Sequence, residues 1–140
     1  MRIENLSQMN NPDQYVILDA SALITLLSEE RGHEIIASVL SKSIMSSVNI
    51  AEVAKFLIEK RHLNKEEVSN IIHSLIETIT PFDTNLALTS ADIIRQTKIL
   101  GLSLGDRACL ALAISTGYTV YSSDKIWSKV ELGCKVVVIR

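Results

Sequence analysis

Four acidic residues stand where a folded chain would ordinarily place an apolar residue or a helix cap. Asp19 closes the apolar run Tyr15-Val16-Ile17-Leu18, and Glu52 lies inside the helical pattern Val48 to Leu57. Asp106 opens the almost wholly apolar stretch Ala108 to Ile114, and Asp124 follows the run Thr119-Val120-Tyr121-Ser122. Carboxylates are rarely buried unless they are paired or bind a metal. Crowded into one cleft they repel, and some take up protons unless a cation compensates them. Hard divalent ions such as Mg²⁺ or Mn²⁺ prefer oxygen ligands and would do so. Two such ions could activate a water and stabilise the leaving oxygen of an in-line phosphodiester displacement.

Taken singly, three of the four have structural explanations. Asp19 could cap the following helix together with Ser21, and Asp106 in a first helical turn is stabilised by the macrodipole. Asp124 after Ser122-Ser123 suits a turn. Glu52 is harder to explain away: Val48 and Phe56, four residues to either side, place it on an apolar stripe. Lys55 and Lys60 do not share that face, so a metal is the expected partner. The scattered His33, His62 and His73 and the separated Cys109 and Cys134 speak against zinc.

The elements that must position these acids alternate. Short apolar strands are expected at 15–18, 43–46, 79–82, 119–122 and 135–139. Helices are expected after Asp19, over 34–40, 48–60 and 65–76, from a cap at Asp83 or Thr84 to about 98, and over 106–116. Asn64 with Glu67 gives a capping-box start, and Gly117 a C-terminal cap. The apolar residues of 106–116 go all the way round, so that helix belongs in the middle of the molecule. This order predicts an α/β fold, a three-layer α/β/α sandwich with a mostly parallel central sheet. Ligands of such sheets bind beyond the carboxyl ends of the strands, where all four acids can converge.

With 140 residues, the chain is expected to form one domain over 15–140, preceded by a polar lead, Met1 to Gln14, read as mobile. Apolar residues make up 47% and charged residues 21%, which excludes a disordered chain. The net charge of −2 argues against a broad basic surface, leaving room only for a local basic rim. Arg107 and Lys125, each directly after an acid, could meet a phosphate there, or be solvated surface cations. Trp127 could stack a base but is read as core. No disulfide framework, signal peptide or membrane-spanning run is legible, so the cytoplasm is the expected location, with no membrane partner.

The segments Val16 to Leu23, Ser46 to Val53, Leu102 to Ala113 and Val120 to Trp127 resemble, in order and spacing, the PIN-domain family, and more narrowly the VapC-type toxins of type II toxin–antitoxin systems. The resemblance spans nearly the whole chain from Tyr15 to Ile139. It implies a PIN-like fold and a metal-dependent endoribonuclease acting as a growth-inhibiting toxin, with Mg²⁺ or Mn²⁺ on Asp19, Glu52, Asp106 and Asp124. Ser21 falls on a small polar position that would orient the first carboxylate or a metal-bound water. Asn49 matches a position that supports the loop before the acidic helix. A cognate VapB-type antitoxin, an RNA substrate such as tRNA, a homodimer and a higher hetero-oligomer with the antitoxin are also implied. The helices over 48–60 and 65–76 could wall the groove that takes the antitoxin segment. Two alternatives stand beside this reading: an inactive RNA-binding or interaction scaffold of the same fold, and a Mg-dependent phospho-accepting signalling module. The second would want another acid after Asp19, where Ser21 stands.

Overall fold

A computed structural model describes residues 14–140, so all but the last residue of the expected N-terminal lead lies outside the described residues. Val16, Ile17 and Leu18 form β1, buried throughout, as expected of an apolar run in the centre of a parallel sheet. The remaining strands are β2 (Ser43–Ser46), β3 (Thr78–Thr80), β4 (Thr119–Ser122) and β5 (Val136–Val138). All four strand pairs are parallel, in the order β3-β2-β1-β4-β5. The chain therefore builds outward from β1 through β2 to β3, then returns to add β4 on the other side of β1. The sheet reverses direction of growth between β1 and β4, which is where an open α/β sheet opens a crevice at its carboxyl edge.

Among the described residues seven α-helices join the strands: α1 (Ala20–Leu27), α2 (His33–Val39), α3 (Ser47–Arg61), α4 (Lys65–Leu75), α5 (Thr84–Asp92), α6 (Ile94–Lys98) and α7 (Leu104–Thr116). Side chains of successive strand residues divide between two cores. Val16, Leu18 and Met45 pack with Leu23, Val53, Leu57 and Ile72, whereas Ile17, Ile44 and Val120 pack with Leu110, Leu112 and Trp127. This alternation gives the three layers, since neighbouring strand residues point to opposite faces of the sheet.

Local chemistry fixes the helix ends. Asn64 and Glu67 make a full capping box at α4, and Gly117, at φ 79°, closes α7 in the left-handed region. Three expectations shift. Helix α7 begins two residues before Asp106, because the Ser103 hydroxyl caps it and the Asp106 carboxylate returns to the Ser103 N–H. The helix expected from Asp83 to about 98 is split at Ile93, which leaves helical geometry at φ −98°, ψ 14° and turns its side chain into the core. Strand β3 sits one to two residues earlier than expected, ending before Pro81, which has no N–H to give to a ladder. Among the described residues no helix is long and apolar enough to cross a membrane.

Candidate metal centre at the carboxyl edge of the sheet

Asp19 follows β1 directly and is only 3% exposed. It caps α1, as its own chemistry allows: Oδ1 accepts from the Ala22 N–H at 2.8 Å and from the Ser21 hydroxyl at 2.7 Å. Oδ2 accepts from the Ser122 hydroxyl at 2.6 Å. Burial pushes the Asp19 carboxyl up to about 6; the hydrogen bonds from Ser122, Ser21 and Ala22 pull the other way, and the charge of Asp106 adds to the rise. Desolvation wins although both oxygens are hydrogen-bonded, which is the condition under which an added cation is most favourable.

Ser122 ends β4, paired alongside β1, and is fully buried. Besides donating to Asp19, its oxygen accepts from the Asp124 N–H at 3.1 Å, while Ser21 Oγ accepts from the Ser123 N–H at 3.1 Å. These serines tie the ends of β1 and β4 together across the crevice. Asp124 itself is exposed and caps the short turn Lys125–Lys129 through the Ile126 N–H at 3.2 Å.

Glu52, on α3 after β2, faces the start of α7. The Asn49 amide donates to Glu52 Oε1 at 2.8 Å and to the Gly105 carbonyl at 3.0 Å. Asp106 follows Gly105 and is half-buried. The Cys109 thiol, one turn further along α7, is pushed up first by its burial and then by the negative charges of Asp19 and Asp106, with smaller contributions from Cys134 and Glu52. Among the described residues none of the four acids forms an ion pair with a basic side chain.

Two expectations are corrected. Glu52 is exposed, and the buried face of α3 is Asn49, Val53 and Leu57, one residue on from Val48 and Phe56. At about 100° per residue that displacement moves Glu52 to the border of the buried stripe. The acid that burial singles out is Asp19. Arg107 is not a solvated cation: its Nη1 donates to the Leu102 carbonyl at 2.9 Å, bracing the loop before α7. It lines an apolar recess with Phe82, Ala87, Ala91, Ile94 and Leu104. Lys125 is exposed, and its side chain makes no hydrogen bond or ion pair among the described residues, although its carbonyl accepts from the Ser128 hydroxyl at 2.9 Å.

Asp19, with Ser21, and Asp124 are thus linked through Ser122, while Asn49 ties Glu52 to the Gly105 carbonyl beside Asp106. Among the described residues no three carboxylate, imidazole or thiol groups form a ready-made ligand set. The donors are nonetheless all hard oxygens, one buried and all lacking a cationic partner. That suits an ion such as Mg²⁺, which keeps several waters and takes only one or two carboxylates, better than an all-protein cage. Sequence reasoning missed Ser122 and Gly105. A hydroxyl closing an apolar strand two residues before an acid, and a glycine beside an acid at a helix start, were the available signals.

The sequence matches the PIN domain family over residues 16–132. The chain belongs to the PIN-domain family. No curated protein matches the sequence. Among solved structures, this PIN domain is similar to a DNA-bound VapBC complex from Salmonella typhimurium, at 17% identity and a TM-score of 0.68, over 90% of this chain and 98% of that one. A toxin–antitoxin complex from Klebsiella pneumoniae is 20% identical with a TM-score of 0.69, over 89% and 98%. VapC20 of Mycobacterium tuberculosis, a sarcin-ricin loop cleaving toxin, is 14% identical with a TM-score of 0.65, over 86% and 98%. At these identities the likeness establishes the fold, and members of the family are nucleases.

Proposed function

We propose that this PIN domain is a divalent-metal-dependent endoribonuclease that acts as a growth-inhibiting toxin and is neutralised by a VapB-type antitoxin. The observation that carries the reading is the buried Asp19 carboxylate, raised to about 6 and with no basic side chain paired to it among the described residues, at the sheet's switch point within reach of the charge of Asp106. Asp19, Glu52, Asp106 and Asp124 would hold Mg²⁺ or Mn²⁺, which when bound would polarise the scissile phosphodiester and activate a water for its hydrolysis.

The chain's own residues prepare that site. Ser21 and Ser122 hold both oxygens of Asp19, so the carboxylate is oriented without help from ligand. The Ser103 capping box likewise fixes Asp106 at the N-terminus of α7. Lys125, exposed beside Asp124, would meet a phosphate at the rim, and Arg107, which donates to the Leu102 carbonyl, would brace the loop before α7. Two similar structures are toxin–antitoxin or VapBC complexes, which supports an antitoxin as partner. A groove along α3, lined by Glu52, Lys55, Phe56, Glu59 and Lys60, would suit an antitoxin segment. Homodimerisation and assembly with antitoxin into a higher hetero-oligomer follow from the same reading. A cleaving toxin among the similar structures supports RNA as substrate, with structured loops such as those of tRNA the first to assay.

The test is cleavage of structured RNA with Mn²⁺ or Mg²⁺ by the wild type and by Asp106→Asn. The wild type should cut, and the variant should lose roughly 10²–10³-fold in rate, the usual loss for one electrostatic group of a preorganised site. Wild-type protein that binds RNA but cuts none under either ion would instead be an inactive scaffold of this fold.

A further inference from the structure

Asn49 on α3 and Gly105 on α7 meet where the two helices that carry Glu52 and Asp106 pack together. Asn49 is 1% exposed, yet its side-chain oxygen has no hydrogen-bond partner. Both neighbours of its amide nitrogen, Glu52 Oε1 and the Gly105 carbonyl, can only accept. The amide orientation is therefore fixed chemically: the NH₂ bridges α3 to α7, and the carbonyl is left buried and unsatisfied. A buried acceptor without a partner is destabilising, so fold stability alone does not account for Asn49. An Asp at 49 would repel Glu52, and a Ser has only one hydrogen to donate.

Gly105 supplies the other half. A Cβ on Gly105 would lie 2.5 Å from Glu52 Oε1, 2.6 Å from Oε2 and 2.7 Å from Cδ, so the carboxylate rests in the space that only glycine leaves. This close approach needs no special backbone angle; it is a seat for the Glu52 head group beside Asp106.

Building on the metal-site reading, we propose that Asn49 and Gly105 are positioning residues that hold the exposed Glu52 carboxylate against the start of α7, where it can share a divalent cation with the Asp106 side of the cleft. Without them Glu52 is a flexible surface side chain. With them it is presented from a fixed point, as partners behind metal ligands commonly do.

The two variants separate this role from a structural one. In Gly105→Ala the atoms in the way are the end of a flexible, exposed side chain, so Glu52 swings out and the backbone stays. The melting temperature of the metal-free protein should hold or rise, because alanine is the better helix former. Mn²⁺ affinity, read by calorimetry on the full chain, should nevertheless weaken roughly tenfold. Asn49→Ala should weaken it similarly, and neither change should weaken it further in a Glu52→Gln background. If the wild type and Glu52→Gln differ in Mn²⁺ affinity while Gly105→Ala and Asn49→Ala match the wild type, this proposal is overturned and the metal site stands. A wild type that binds no Mn²⁺ overturns both.

Discussion

Asp19→Asn should abolish RNA cleavage, by roughly 10²–10³-fold or more, and at the same time make the metal-free protein more stable at neutral pH. The two effects have one cause. The folded protein holds the Asp19 carboxyl at about 6 against an ordinary 3.8, chiefly because burial disfavours the charge. The native state therefore binds this proton more tightly than the unfolded chain does. Its favourable contribution is fully present below about pH 4 and is lost as pH rises from there through about 6. Above that, the native state carries a penalty on the order of 3 kcal/mol for a rise of roughly two pH units. Asparagine keeps an acceptor for Ala22 and Ser21 and pays no such penalty. Relative to Asp19→Asn, the wild-type melting temperature should decline between pH 4 and 6 and run parallel above. The same proton competes with metal, so Mn²⁺ affinity of the wild type should weaken by about tenfold per pH unit below 6. A melting temperature difference that does not vary over this range would show that Asp19 is not the buried, titrating acid described.

Trp127→Ala should destabilise the fold by about 3–5 kcal/mol, the usual range for removing a large buried aromatic. Trp127 is 1% exposed and packs with Ile17, Val120, Leu110 and Leu112 beneath the turn that Asp124 caps. Trp127→Phe should cost far less, because its indole N–H has no partner to lose. Chemical denaturation followed by circular dichroism reads both. Were Trp127 instead a base-stacking residue, the alanine variant would keep its stability and lose affinity for RNA.

Much of the site was written locally in the chain. Val16-Ile17-Leu18 could hardly be anything but a buried strand, and an acid ending it at a parallel sheet's carboxyl edge points to a ligand. Asn64 with Glu67, and Gly117, mark helix ends by side-chain chemistry that operates within a few residues. The structural roles of Asp19, Asp106 and Asp124 leave room for the proposed one, since Asp19 and Asp124 cap a helix and a turn, Asp106 completes the capping box of α7, and each keeps a lone pair to offer.

What could not be read depends on distant pairings. Ser122 matters because β4 lies beside β1, placing its hydroxyl against Asp19 across 103 residues of chain. Gly105 matters because α3 packs on α7 and delivers Glu52 to it. The side of α3 that is buried is set by where β2 and α7 meet it, and a difference of one residue was enough to move Glu52 from the stripe to its border. Arg107 looked like a rim cation because its neighbour is an acid, yet on a helix adjacent residues point about 100° apart.

The central claim is that Asp19, Glu52, Asp106 and Asp124 serve a divalent cation. Its most direct test is the melting temperature of the full chain at pH 7.5 as Mn²⁺ is added. An ion bound only by the native state at 100 times its Kd stabilises by about 2.7 kcal/mol, several degrees for a domain of this size. The wild type should show that rise and Asp19→Asn should not. An unchanged wild-type melting temperature at millimolar Mn²⁺, or an equal rise in both proteins, would contradict the claim.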